Sequence, residues 1–185
     1  KMIITKTQGN PFFIEEIIRS FIDEGIIEVK NGHFIVTEKI NDVNIPETIN
    51  EAILSRVDKL DEKTRELLNT ASVMGRNFYY KVLEEATDTI EELDERLAYL
   101  AEVQLISESK KKQEIEYLFK HALAQEAAYE SILVQKRVEL HLKIADSIEK
   151  VFKERLHEFY GMLALHYSRG ENIDKSEEYM IKAGD

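Results

Sequence analysis

Apolar residues in the first part of the chain recur three and four positions apart, the spacing of one face of an α-helix. The stripe consists of Ile14, Ile17, Ile18, Phe21 and Ile22. Asn10 is a residue type that caps helices, and Pro11 suits the first helical turn because its missing N–H would have no partner there. Gly25 is a residue type common just past a helix end. The pattern therefore predicts a helix from Pro11 to about Gly25.

Two short apolar runs follow this helix and flank Asn31 and Gly32. An Asn-Gly pair between apolar runs is typical of a two-residue β-hairpin turn. A second helical pattern begins at Pro46, with its apolar face at Ile49, Ile53, Leu54 and Val57. The sequence therefore predicts helix, hairpin and helix in this region.

The middle of the chain passes from helical to strand patterns. Helical spacing runs through 61–75, 78–86 and 89–105, in that order. Thr89 and Glu92 have the spacing of a capping box at the third start. Two strand-like runs, 105–109 and 114–119, then flank a polar loop. Three helices followed by a two-stranded ribbon predict a winged-helix domain.

From His121 the pattern is helical almost to the end. The longest stretch runs from Val134 to Arg155, with apolar positions at Leu140, Ile144, Ile148 and Phe152. Two shorter stretches are joined by a turn at 170–173 and carry small or aromatic residues at Ala164, Tyr167, Ser176, Tyr179 and Ala183. The pair resembles one hairpin of a tetratricopeptide array, which needs neighbouring repeats to bury both faces. We therefore expect further repeats downstream.

The expected fold is mainly α and has three parts. Residues 1–46 form helix and small β-hairpin, 47–133 the winged-helix domain, and 134–185 a helical linker with one antiparallel, tetratricopeptide-like helical hairpin. The chain opens with Lys1 and stops inside a repeat-like pattern. We interpret it as a fragment of a longer protein.

Composition narrows the class of protein. The chain is 43% hydrophobic and 33% charged, and no apolar run approaches the ~18–20 residues of a membrane helix. No signal peptide is recognisable. The absence of cysteine excludes disulfides and thiolate metal sites and fits a reducing cytosol. We expect a cytoplasmic protein with no membrane partner.

Motifs for catalysis and metal binding are missing from the sequence. It contains no G-x-x-x-x-G-K-[ST] phosphate loop, no H-E-x-x-H zinc motif and no serine elbow. The five histidines show no metal spacing backed by carboxylates. The acidic pairs Glu15-Glu16, Glu84-Glu85 and Glu91-Glu92 are interpreted as solvated helix faces. We expect no catalytic or metal-binding residue here, and no enzyme activity in this chain alone.

Charge argues against the DNA binding that a winged helix suggests. Of the net charge of −11, residues 47–133 carry −8, from 11 basic and 19 acidic side chains. The third helix, 90–103, has five acidic residues against Arg96. Such a helix would be repelled by duplex phosphates. Lys110–Lys112 in the wing loop are interpreted as solvated charge, and we expect this winged helix to pack against protein.

Three stretches resemble a known family. They are TQGNPFFIEEIIRSFIDEG, IPETINEAILSRVDKLDEKTRELLNTASVMGRNF and YLFKHALAQEAAYESI, which run through most of residues 7–133. They are similar to the STAND ATPases of the AAA superfamily, signal-transduction ATPases with numerous domains. The likeness is to the bacterial branch found beside class III adenylate/guanylate cyclase domains and in large transcriptional regulators.

The resemblance implies a domain order of Walker-type nucleotide domain, helical lid, winged helix and repeats. Residues 1–46 would be the end of the lid, and the Walker elements would lie upstream of Lys1. ATP or ADP with magnesium would then bind to the full-length parent, which would be the ATPase, and not tightly to this fragment. The upstream domain, the downstream repeats and a protein or small-molecule inducer are the partners implied.

Two positions acquire roles by resemblance. Gly9, Asn10 and Pro11 match the family's G-x-P motif, whose proline ring lies against adenine; a plain helix start explains Asn-Pro equally well. His121 matches the winged-helix histidine that contacts the β-phosphate of ADP, and the alternative is a packed or capping residue. Ala122 stands where eukaryotic members have aspartate.

The leading hypothesis is therefore a regulatory, non-catalytic fragment that couples ATP/ADP state to repeats and a cyclase or transcriptional output. One alternative is a winged-helix DNA-binding transcriptional regulator. The other is a helical repeat scaffold for protein interactions.

Overall fold

The protein is mainly α-helical, as the sequence predicts, with two small antiparallel sheets. The computed structural model describes residues 5, 7–30, 32–42, 46–87, 92–111 and 114–184. The chain divides into two compact units, 1–60 and 61–185.

Among its described residues, the first unit includes two helices and one hairpin. In chain order its elements are α1 (Pro11–Asp23), β1 (Ile27–Lys30), β2 (His33–Val36), a 3₁₀ turn (Glu38–Asp42) and α2 (Ile49–Asp58). The strands pair in antiparallel register, with Lys30 opposite His33. The two-residue turn predicted between them is confirmed: Gly32 has φ +77°, and Asn31 lies outside the described residues.

The ends of α1 follow the sequence signals. Asn10 Oδ1 accepts hydrogen bonds from the backbone N–H groups of Phe12 and Phe13, at 3.1 and 3.4 Å. At the other end Gly25 has φ +66°. Its N–H donates to the Ile22 carbonyl and the Ile26 N–H donates to that of Phe21, the Schellman arrangement. The predicted cap and stop are both confirmed.

The helix α2 packs in the first unit and starts later than expected. It begins at Ile49 because Thr48 caps it, with Oγ1 accepting from the Glu51 N–H at 3.2 Å. The sequence pattern predicts a start at Pro46 and groups this helix with the winged-helix domain, 47–133. The division at 46/47 and 133/134 stays a prediction about functional domains.

The buried face of α1 is only partly the predicted stripe. Its core residues, packed with Ile26, Ile27 and Ala52, are Phe13, Ile17 and Phe21. Ile14 and Ile18 are half-buried, and Ile22 is 38% exposed. The helix therefore has apolar residues on two sides. The core of the first unit covers the side of Phe13, Ile17 and Phe21, and the side of Ile14, Ile18 and Ile22 stays partly exposed.

A buried ion pair links the two helices of this unit. The Arg56 guanidinium hydrogen-bonds the Glu16 carboxylate, with side chains 4% and 2% exposed. The interpretation of Glu15 and Glu16 as solvated was wrong for Glu16, because the helix turns it toward α2. Removing either partner would leave a buried charge uncompensated.

The second unit begins with a winged-helix arrangement. Its elements are α3 (Glu62–Met74), β3 (Asn77–Tyr79), α4 (Tyr80–Ala86), α5 (Leu93–Glu102), β4 (Ile106–Lys111) and β5 (Glu114–Phe119). The three strands are antiparallel in the order β3-β5-β4.

Two details of this domain differ from the sequence expectation. β3 was missed and read as part of a helix; it is only three residues long and is stabilised by pairing with β5. The capping box falls partly outside the described residues at Thr89. Glu92 has φ +62° and makes no side-chain cap hydrogen bond.

Four helices follow the sheet. They are α6 (Ala122–Ser131), α7 (Val134–Val151), α8 (Tyr160–Arg169) and α9 (Ile173–Gly184), with a 3₁₀ segment (Lys153–Phe159) between α7 and α8. The predicted apolar positions of α7 are all buried: Leu140, Ile144, Ile148 and Phe152. The same helix contacts α3 and α4 of the winged helix and also α8.

The long helix ends earlier than the pattern suggests. Arg155 has non-helical dihedrals, with φ −137°, and its guanidinium is 2.5 Å from the Glu114 carboxylate at the start of β5. Phe152 and Phe159 stack with ring centroids 4.0 Å apart. This tertiary pairing draws the chain out of the helix at a point where the apolar spacing alone would continue it.

The helical hairpin of α8 and α9 is confirmed. Four of its predicted contact residues are buried: Ala164, Tyr167, Ser176 and Tyr179. Ala183 is exposed. At the turn, a Cβ on Gly170 would lie 2.6 Å from the Leu142 side chain. A larger residue at this position would therefore force the Leu142 side chain of α7 to move.

A buried polar chain joins α6, α7 and α8. The His141 and His166 Nδ1 atoms lie 2.9 Å apart, and the other His141 nitrogen lies 3.1 Å from the Tyr129 hydroxyl. The rings are 2% and 1% exposed. Burial lowers the pKa of His141 to about 4, with Arg169 adding to the shift. Burial, then His141 and Arg169, lower the pKa of His166 to about 3.

We expect stability to fall with acidification between pH 6.5 and about 4. In the unfolded chain the two histidines bind protons near pH 6.5, whereas in the folded chain they stay neutral until well below that pH. Protons therefore favour the unfolded state, so the pair's contribution to the free energy of unfolding is complete above pH 6.5 and is lost as the pH is lowered. The loss should be on the order of 4 kcal/mol, measured by urea unfolding at each pH.

The double variant His141→Gln/His166→Gln should flatten the dependence of the free energy of unfolding on pH between pH 7 and 5. Exposed His157→Gln should keep it; equal slopes in all three proteins would contradict the assignment.

Candidate functional site

The outer face of α1 borders an apolar cleft in the first unit. The cleft has a volume of about 490 Å³ and is lined by Pro11, Ile14, Glu15, Ile18, Arg19, Ile22 and Phe34. Five of these seven side chains are apolar. A concave, mostly apolar site with few polar groups has the general character of a small-molecule site.

The Gly9-Asn10-Pro11 segment places a proline ring at one end of this cleft. Gly9 has φ +76°, a conformation that favours glycine, and a Cβ there would meet nothing within 4 Å. Asn10 uses its side chain to cap α1. Pro11 is exposed. The structure thus confirms the helix start, while the exposed ring leaves a flat apolar surface available to a ligand.

His121 lies at the junction between β5 and α6. It is the residue before the first turn of α6, where its backbone carbonyl accepts from the Ala124 N–H at 3.0 Å. Its side chain makes no capping hydrogen bond and is half-buried. The backbone therefore starts the helix, and the imidazole is not used for that purpose.

The neighbours of His121 hold this junction in place. Phe119 is fully buried, and its N–H donates to the Arg76 carbonyl at 2.9 Å. The Lys120 ammonium hydrogen-bonds the Gln104 side chain. Gln125 Nε2 donates to the Ser72 carbonyl at 2.6 Å and ties α6 to α3. Strand, helix and loop contacts thus position the histidine.

The predicted site residues fall into two groups. Gly9, Asn10 and Pro11 are adjacent in the first unit, and His121 belongs to the second. That one nucleotide contacts both groups stays a prediction.

The helix that would enter a DNA groove presents acidic side chains. Asp94, Glu95 and Glu102 are exposed on α5. Arg96, the one basic residue of that helix, is 2.8 Å from both Asp61 Oδ1 and Thr64 Oγ1. Hydrogen bonds from Thr64, with further help from Arg96, hold the pKa of Asp61 below its usual value. The wing lysines, 110–112, have side chains outside the described part of the chain.

The described residues offer no cluster of three or more histidine, cysteine, aspartate or glutamate side chains that could hold a metal. A search of the same residues finds no helix suited in length and apolarity to cross a membrane.

Sequence reasoning missed the cleft and Arg19 within it, whose Nε has no hydrogen-bond partner among the described residues. The signal was present in Ile14, Ile18 and Ile22, which repeat at four-residue spacing beside the buried row of α1. Two apolar rows on one helix indicate two faces that each contact something apolar, whereas the sequence pattern above is interpreted as a single apolar face.

We expect the chain not to shift a duplex DNA fragment in a gel assay at about 50 mM salt, because α5 offers no free cation and non-specific binding rests on phosphate neutralisation. A basic winged-helix protein run alongside controls for the sensitivity of the assay. A shift that weakens steeply with added salt would instead favour the DNA-binding alternative.

A scan against protein-family models matched none, and a search of curated proteins found no match.

Proposed function

We propose that this chain is a regulatory, non-catalytic part of a nucleotide-switch signalling ATPase. The single observation that supports this most is the exposed Pro11 ring at the mouth of an apolar cleft. It lies within the stretch that resembles the lid of the STAND ATPases.

The chemistry of the cleft suits a nucleobase. A proline ring is rigid and apolar, so it loses little entropy when a flat base lies against it. Ile14 and Ile18 extend that apolar surface along the helix. The space beside Gly9 is open, because no atom outside its two chain neighbours lies within 4 Å of the place where a Cβ would be.

The chemistry of His121 suits a phosphate contact. An imidazole N–H donates to a phosphate oxygen, and the bond is stronger when the ring is protonated. The ring is attached where β5 meets α6, so a ligand contact there would hold the whole winged helix. A contact made with ADP and not with ATP would bias the protein between two arrangements.

The second unit has the contacts that a relay needs. The Lys150 ammonium of α7 is 2.6 Å from the Glu85 carboxylate of α4, and Arg155 is 2.5 Å from Glu114. The same α7 packs against α8. A displacement of the winged helix would therefore be passed to the helical hairpin.

The remaining parts of the proposal come from the resemblance. A Walker-type domain upstream would supply the site for ATP or ADP and magnesium, and repeats downstream would bind a protein or small-molecule inducer. The output would be cyclase activity or transcription, in the cytoplasm.

In the longer protein with its nucleotide domain, His121→Ala should release ADP about tenfold faster, the loss of one charge-assisted hydrogen bond. Stopped-flow release of a fluorescent ADP analogue measures this. His157→Ala removes an exposed histidine from the same unit and should change nothing. Identical rates for His121→Ala and the parent would discard the latch role.

Pro11→Ala in the same protein should weaken ADP and ATP to a similar extent, several-fold, because both nucleotides share adenine. Alanine keeps the first helical turn of α1, so unfolding is not expected. Equilibrium titration with both nucleotides measures the effect, and Phe12→Ala, also an exposed residue, is the matched control. Unchanged affinity for both would remove the adenine role.

A further inference from the structure

The cleft beside α1 extends well beyond Pro11. Arg19 follows Pro11 by eight residues, which is roughly 12 Å along the helix axis. Between them lie the half-buried Ile14 and Ile18, and Ile22 and Phe34 line the far part. The proposed adenine contact uses Pro11 with Ile14 and Ile18 and leaves Arg19, Ile22 and Phe34 unused.

Arg19 is the unusual group in this cleft. Its side chain is half-buried, and its Nε is buried without a hydrogen-bond partner among the described residues. No ion pair joins it to any of the side chains that the structure describes, which do not include that of Asp23. A buried donor with no partner is costly, and an anion from outside would offset that cost.

The surroundings of Arg19 are apolar and partly exposed. Phe34 is 66% exposed and Ile22 is 38% exposed. Exposed apolar surface next to a groove commonly marks a binding site. An occupant must therefore cover apolar side chains and also bring a negative charge.

We propose that this cleft binds a small aromatic or aliphatic molecule that carries one anionic group. The anionic group pairs with Arg19, and the apolar body lies against Ile18, Ile22 and Phe34. The volume of about 490 Å³ is within the range of about 300–1,000 Å³ typical of small-molecule sites. The assignment uses no contact to Pro11 or His121; it shares Ile18 with the proposed adenine surface, and its test needs no nucleotide.

Glu15 carries the charge opposite to that of Arg19, so removing each charge should change the affinity for an anion in opposite directions. It lines the same cleft one helical turn before Arg19 and is exposed. Its carboxylate repels an anion at Arg19. Loss of the Arg19 charge should therefore weaken binding, while loss of the Glu15 charge should strengthen it.

The test uses the 185-residue chain and 8-anilinonaphthalene-1-sulfonate, an aromatic body with one sulfonate, titrated by fluorescence and calorimetry. Arg19→Met keeps an unbranched apolar stem and should weaken binding about tenfold, the strength of a charge-assisted hydrogen bond. Glu15→Gln should tighten binding about two- to threefold. Phe34→Ser should also weaken it.

The controls separate charge from folding and from general stickiness. Lys30→Met removes a positive charge in the same unit outside the cleft, where the side chain is 65% exposed, and should bind like the parent. Nile red, an uncharged aromatic probe, should bind to Arg19→Met with the same affinity as to the unsubstituted chain. Circular dichroism checks that each variant is folded.

The proposal would be overturned if Arg19→Met and the unsubstituted 185-residue chain bound the sulfonate with equal affinity. It would also be overturned if Arg19→Met lost as much affinity for Nile red as for the sulfonate. If Arg19→Met does not fold, the exposed Glu15→Gln variant decides: tighter sulfonate binding supports the site, and no change rejects it.

Discussion

The second unit depends on one helix that must be buried on more than one side. α7 contacts α3 and α4 of the winged helix and α8 of the helical hairpin. Ile144 and Ile148 are fully buried along it, and apolar burial of that extent stabilises by roughly 1.5–3 kcal/mol per side chain. His141 adds a directional contact, because its ring meets both Tyr129 and His166. The helix thus fixes the hairpin relative to the winged helix.

In the first unit, α1 has more apolar surface than the other described elements of that unit cover. Phe13, Ile17 and Phe21 form the core with the hairpin and α2. Ile14, Ile18 and Ile22 remain to line the cleft. The buried Glu16–Arg56 pair fixes which side of α1 meets α2, and so it also fixes which side is left for a ligand. The candidate site is a consequence of that orientation.

Most of the secondary structure could be predicted because its signals are local. Asn10, Gly25 and the Asn31-Gly32 turn each act within a few residues of their position. β3 could not be predicted, because three residues carry no usable alternation and the strand is stabilised by β5, some forty positions later. The early end of α7 was missed for a related reason, since Arg155 is drawn to Glu114 across the fold. For the candidate sites, the sequence named Pro11 and His121, whose roles stay predictions, and it did not name Arg19.

The sequence by itself determined the helical class, the start and end of α1 and the hairpin, because caps, positive-φ glycines and apolar spacing act through neighbouring residues. Only the tertiary structure decided which of two apolar rows on α1 became core, because both rows have the same spacing and differ only in what packs against them. It also decided that His141 and His166, 25 positions apart, share a hydrogen bond. Burial of that kind depends on the approach of whole helices, which no local pattern encodes.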